Sequence, residues 1–347
     1  FGIFLVFILL AKFIYSQGWY AVTITNSQSS STPAPFQQDI AICNGTLNIG
    51  SSFAYINNAT IFNQIDSNGQ NVYFTTTYGG SPNIYSWYEG QENFNGTYCD
   101  VWWINLSNGI PANSNVTIYM YIGNSSSNYY SQYYPYVGES PQLSSTYGQY
   151  DNGQDVFNYY WNFNGTSAPS GWTQNLDSVS YDNGVTISGD NGGYWYYTGK
   201  TFSGTILIEE MMEVIDQAST TNYGEGAVGL TTTSPSWIST FSLTRVLEGT
   251  NPIIGYIFDG NDETTTSIEF EPVGTFGIIS FYASSSGMAA YSNYQLIQST
   301  NSYTVPSSYY IVGCNADSGA KVFVQWLRIR AYPPNGVMPS FSVQLAA

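Results

Sequence analysis

The pentapeptide Glu209-Glu210-Met211-Met212-Glu213 comes nearest, in residue type and spacing, to catalytic machinery. On a strand side chains alternate, so Glu209, Met211 and Glu213 share one face. Two carboxylates on one face could act as nucleophile and general acid in glycoside hydrolysis. That chemistry needs their pKa values split, and an intervening Asp would help to tune them. Met211 stands in its place. The expectation is therefore no enzymatic activity, with these Glu residues on a solvated concave face.

Other reactive groups are sparse. Asp259-Gly260-Asn261-Asp262-Glu263 offers oxygen ligands for Ca²⁺, but its spacing departs from the EF-hand loop and reads as an acidic hairpin turn. His is absent and there is no Cys-x-x-Cys, so neither a zinc site nor any cofactor is expected. Cys43 and Cys99 lie on strand-like segments of one region and are predicted to form a disulfide, as in an oxidising compartment. Cys314 is left as a small buried apolar residue. Arg328 and Arg330 alternate with Trp326, which predicts cross-strand or cation–π contacts rather than a ligand role. Tyr-rich stretches (129–130, 133–134, 159–161, 194–197) could stack on sugar rings, although Tyr also suits both faces of a strand. Asn44, Asn58, Asn95, Asn105, Asn115, Asn124 and Asn164 each head an Asn-x-Ser/Thr triplet and are candidate N-glycan acceptors. All seven fall before residue 165, which predicts that the first part of the chain faces solvent.

Positioning these groups requires a fold. The chain has 347 residues and a formal charge of −17 with only six Lys plus Arg. No basic cluster is available to neutralise phosphate, which excludes nucleic acid as a partner. With 8% charged residues, hydroxyls and amides must solvate the surface, and few groups titrate there. The expectation is an acidic, hot, extracellular setting.

Residues 1–15 form an apolar run broken only by Gly2 and Lys12. As a helix it spans about 22 Å, and extension to residue 20 would cross the roughly 30 Å core of a membrane. Read as retained rather than cleaved, it is an assembly device: Phe1, Ile3, Phe4, Leu5, Val6, Phe7, Ile8, Leu9, Leu10, Phe13 and Ile14 would be buried by copies of themselves. A single-span anchor and an extended donor strand are alternatives, since periodicity cannot separate helix from strand in such a run. Beyond it, alternating segments such as Ala21-Val22-Thr23-Ile24-Thr25-Asn26 and turn signals such as Ser107-Asn108-Gly109 predict short strands throughout. The fold class is mainly β: an N-terminal hydrophobic helix (1–20), a β-sandwich (21–125), a polar Tyr-rich linker (126–152), a jelly roll (153–335) and a tail (336–347) able to pair at a sheet edge.

The runs Val22–Asn26, Trp87-Tyr88-Glu89, Val101–Ile104 and above all Ile110–Asn124 resemble an uncharacterised family of β-sandwich domains in archaeal and bacterial surface proteins. In that family a concanavalin-A-like jelly roll often follows. The segment Val324-Gln325-Trp326-Leu327-Arg328-Ile329-Arg330-Ala331-Tyr332 is similar to the last strand of such domains. Jelly-roll glycosidases of this class carry Glu-x-Asp-x-Glu on one strand, the pattern from which residues 209–213 depart. The prefix resembles type IV pilins in its placement and in starting with Phe, but carries Leu5 where bacterial members have an acid, as in archaeal-type filaments. These resemblances imply a glycosylated extracellular filament subunit of an acidophilic thermophilic archaeon, polymerising with its own copies and adhesive toward glycans. The alternative they leave is a membrane-anchored carbohydrate-binding surface protein.

Overall fold

A computed structural model describes residues 18–175, 178–188, 194–216, 224–231, 241–247, 254–258, 263–269, 274–301, 305–317 and 321–346. The first strand, Gly18–Asn26, alternates half-buried and buried residues, with Tyr20, Val22, Ile24 and Asn26 turned inward. It pairs antiparallel with Ser114–Ile122, Val22 opposite Ile118, and on its other side with Ser340–Leu345. Val72–Thr75 completes this four-stranded sheet. Facing it is a five-stranded sheet in the order Tyr55–Asn57, Phe36–Cys43, Thr97–Leu106, Ser86–Phe94, Val137–Glu139. The two enclose Val22, Ile24, Phe74 and Trp102. Cys43 and Cys99 stand directly opposite each other on adjacent strands and form a disulfide.

The second unit is a sandwich of a seven-stranded and an eight-stranded sheet. The eight-stranded sheet is built around Ile206–Asp216 and Lys321–Arg330 and extends through Phe276–Ser284 and Gly287–Ser292 to an edge strand, Gln295–Thr300. Its inner face supplies Ile208, Met212, Phe281 and Val324 to a separate core.

Phe36–Cys43 is buried at every position, which a strand achieves only when both faces of its sheet are covered. The cover is the outer face of the eight-stranded sheet. Trp87 meets Trp326 edge-on at 5.4 Å, and Trp103 lies 6.0 Å from Tyr294. Gln38 donates to the Pro339 carbonyl, and Ala331 N donates to Gln37. Four β layers therefore stack face to face, the middle contact being a buried seam.

The structure departs from the sequence reading at several boundaries. Gly18, Trp19 and Tyr20, placed at the end of a helix over 1–20, open the first strand instead, because Tyr20 continues the inward alternation of Val22 and Ile24. The assembly segment, residues 1–14, lies outside the described residues. The described α-helices have four or five residues, and no described helix is long and apolar enough to cross a membrane. Residues 126–152 belong to the first sandwich rather than to a linker. Tyr129 packs edge-on against Tyr73 at 5.1 Å, and Val137–Glu139 pairs parallel with Ser86–Phe94. Tyr misled the reading there, because it buries a ring while its hydroxyl reaches a polar partner, as Tyr130 does at the Asn68 carbonyl.

Phe341 is 8% exposed and is the apolar anchor of the C-terminal strand. Phe341→Ala is expected to destabilise the protein by about 3 kcal/mol, read as a lower denaturant midpoint. An unchanged midpoint would mean that this strand does not close the first sheet.

Candidate functional site

The seam is organised by one residue. Arg328 has no solvent exposure and spends its donors on three partners: Nε on Glu209 Oε2 at 2.7 Å, Nη1 on Glu89 Oε2 at 2.7 Å, and Nη2 on the Tyr294 hydroxyl at 2.8 Å. Tyr294 donates in turn to Glu89 Oε1 at 2.6 Å, and Trp103 Nε1 donates to Glu89 Oε2 at 2.9 Å. Arg330 Nη2 donates to Glu209 Oε1 at 2.8 Å. The guanidiniums also lie over rings, Arg328 over Trp103 (4.6 Å) and Trp326 (4.7 Å), Arg330 over Trp103 (4.5 Å). The expected cation–π contacts of both arginines are thus present.

A β-bulge aims these side chains. Met211 stands opposite Trp326 but Met212 opposite Val324, so Gln325 is an extra residue and the alternation changes phase. Val322 and Val324 before it, and Leu327 and Ile329 after it, all face the inner core. Trp326, Arg328 and Arg330 consequently face the seam.

Burial raises the pKa of Glu209, but Arg330 and Arg328 outweigh it and hold the carboxyl at about 2. This corrects the expected solvated concave face: Glu209 is fully buried and both its oxygens are engaged, while Glu213 on the same face is half-buried. Segment 259–262 lies outside the described residues. Other acids are shifted upward by desolvation, Asp39 to about 8, Asp100 to about 7 and Glu139 to about 7, against the weaker lowering effects of an Ala54 N–H, the Tyr88 hydroxyl and Ser144 respectively.

Where the eight-stranded sheet extends past its cover, the seam opens into a groove of about 680 Å³. Tyr282 and Tyr332 form its aromatic floor, stacked 3.6 Å apart at 16°, and Tyr291 stands beside them. Ser30, Ser31 and Pro33 of the first sandwich make one wall, and Ser284, Ser299 and Asn301 are among the opposite lining. None of its lining residues is charged. Gly287 shapes the rim: its φ is 143°, and a Cβ there would meet the Thr300 carbonyl at 2.1 Å.

Tyr282, Tyr291 and Tyr332 lie outside the tandem-Tyr stretches; Tyr332 ends the segment similar to a terminal jelly-roll strand, and no local pattern marks the three as a group. Of those tandem rings, Tyr129, Tyr130 and Tyr194 are buried core. Tyr134 and Trp161 line a second, more polar cleft of about 450 Å³ with Asp151 and Asn162. Asn44, Asn95, Asn115, Asn124 and Asn164 are exposed. Asn58 is half-buried and caps a helix through Ile61 N, and Asn105 is half-buried with Nδ2 donating to the Asp155 carbonyl.

No protein-family model matches the chain, so the resemblance of its first region to a surface-domain family carries no family assignment. The chain is 29% identical, over 92% of its length, to uncharacterized protein 562 of Sulfolobus islandicus rod-shaped virus 1, and covers 58% of that protein. That relative is a protein of a virus of Sulfolobus islandicus. Among solved structures, the carbohydrate recognition domain of Emp47p matches 49% of the chain and 92% of its own (11% identity, TM-score 0.38). The carbohydrate-binding module CBM66 from Bacillus subtilis matches 45% and 94% (14%, 0.36), and an endo-β-1,3-glucanase from Pyrococcus furiosus 55% and 95% (12%, 0.39). Likeness at this level says nothing of what the chain binds. The pilin reading is overturned: the described chain is almost wholly β, and residues 18–20 are strand where the core helix would end.

The raised acids give a pH dependence with a definite sign. A carboxyl whose folded pKa lies above its unfolded value contributes fully below the unfolded value and loses that contribution as pH rises through the folded one. For Asp39, Asp100 and Glu139 the loss runs from about pH 4 to about pH 8. Glu209, lowered, loses its contribution as pH falls from about 4.5 to about 2. Denaturant midpoints are therefore expected to be higher at pH 3.5 than at pH 8, with Asp39→Asn flattening the profile. A midpoint that rises with pH would contradict this assignment.

Proposed function

We propose that this chain is a non-catalytic glycan-binding surface protein of an archaeal virus, working outside the cell in an acidic medium. One observation carries the reading: an uncharged groove combining a stacked tyrosine floor with hydroxyl and amide walls. Tyrosine rings complement the apolar faces of pyranoses, and a few polar groups fix their hydroxyls. A groove with no carboxylate in its lining keeps its affinity where carboxylates are protonated. The viral relative supports the setting, and the disulfide suits an oxidising compartment.

The seam supports the non-catalytic part of this reading. A catalytic pair needs one carboxyl free to attack and one protonated near the working pH; Glu209 is neither, being held ionised by two arginines.

Neutral glycans are expected to bind on an array, and Tyr282→Ala to weaken that binding about tenfold or more, whereas Tyr78→Ala, on the first sandwich, leaves it unchanged. Failure of every neutral glycan to bind, or release of reducing ends from a bound glycan that Glu209→Gln abolishes, overturns the reading.

We further propose N-glycans on the five exposed acceptors. Peptide mass mapping of protein from an archaeal host is expected to find hexose on at least some of Asn44, Asn95, Asn115, Asn124 and Asn164, and none on Asn105, whose amide is spent inside the fold. Occupancy at Asn105 alone would refute this.

A further inference from the structure

Beneath the groove lies a small cavity sharing Tyr291, Tyr332 and Pro333 with it. Its volume is about 10 Å³, the room of one oxygen atom. Arg330 lines it, with a side chain only 3% exposed. Nη2 of this residue is bound to Glu209, but Nε and Nη1 are buried and have no hydrogen-bond partner. A buried donor left unpaired is costly, and each one calls for an explanation. Here an acceptor entering from the groove supplies it.

The chemistry of that acceptor is constrained by its surroundings. Glu89 and Glu209 already balance Arg328 and Arg330, so an anion would add an uncompensated buried charge. The acceptor is therefore neutral. Glu209 has both oxygens occupied by the two arginines, Oε1 also accepting from Ser280. A hydroxyl would bring a proton for which no carboxylate is free, whereas a carbonyl only accepts. Leu207 and Pro333 lie beside the arginine in the lining and offer apolar contact to a small group attached to that carbonyl.

Resting on the glycan reading above, we propose that the preferred sugar carries an acetamido group. Its carbonyl oxygen enters the cavity and accepts from Arg330, while its methyl rests at the mouth against Pro333 and the Tyr332 ring. The ligand class is thus a neutral N-acetylated sugar, held by stacking in the groove and by one charge-assisted hydrogen bond below it.

The test compares matched array glycans that differ only in acetamido against hydroxyl at one carbon, with titration calorimetry on those that bind. The unmodified protein is expected to prefer the acetamido member about tenfold or more, the effect of one hydrogen bond to a charged group. Arg330→Lys keeps a cation for Glu209 but removes the Nε and Nη1 donors; it should cut the preference to below about threefold. A melting curve identifies loss of folding, and the preference of the unmodified protein decides the matter without any variant. Equal binding of the two members means that Arg330 holds water only; this overturns the inference and leaves the glycan reading standing. Tighter binding of sulfated or uronic-acid members overturns the neutral acceptor. Binding of no glycan at all removes both.

Discussion

A guanidinium with no access to water, held between two carboxylates, is the constraint around which this molecule is arranged. Burying Arg328 is tolerable only because each donor direction meets Glu89, Glu209 or Tyr294 and its faces meet indole rings. Glu89 comes from the first sandwich, Glu209 and Tyr294 from the second. Neither sandwich can satisfy the charge alone. Ion pairs of this kind add little net stability against an apolar alternative, yet removing one partner is severe. Their effect here is to specify one docking of the two units, since any slip leaves a bare charge in a dry interface.

That docking also decides what the exposed part of the sheet can do. The face carrying Glu209 would be a broad open surface if the second sandwich stood alone. Covered by Phe36–Cys43 and its neighbours, it stays open beside its edge strands, where Tyr282, Tyr291 and Tyr332 lie. Glu209 and both arginines lie in the covered part, and the groove lining carries no charge. Glu209, one of the two carboxylates that could have been catalytic, holds the seam together, and the groove left beside it is lined by tyrosine rings, hydroxyls and amides.

Buried acids follow the same logic. Asp39 and Asp100 lie in the apolar five-stranded sheet, and desolvation keeps their protons on well above the ordinary range. At low pH they are neutral hydrogen-bonding groups and cost little. At neutral pH they become liabilities. A surface with few titrating groups and an interior with acids best left protonated both suit an acidic medium, and they are independent features of the chain.

The mainly β character, the turns, the sandwich pair and the apolar alternation of the terminal strand were legible in composition and period, because those signals are local. Residues 321–330 even carry the phase slip in plain form, Val322 and Val324 followed by Leu327 and Ile329, which a strict period of two would have missed. The polar tract 126–152 was read as a linker because hydroxyl-bearing rings look solvated until their partners are known. The reading of Glu209 and Glu213 as a solvated pair failed for a different reason: alternation gives the face, but not what covers that face.

The amino-acid sequence by itself determined the layered β fold, the disulfide-competent cysteines, the scarcity of basic residues and the likeness to an archaeal viral protein, since each depends on residue type and short-range order. Only the tertiary structure decided that Glu89, 120 positions or more from Glu209 and Arg328, would close their charge, that the C-terminal strand would return to the first sheet, and that three isolated tyrosines would share one groove. Those outcomes depend on which faces of distant strands meet, and burial energy depends on that meeting rather than on the order of residues along the chain.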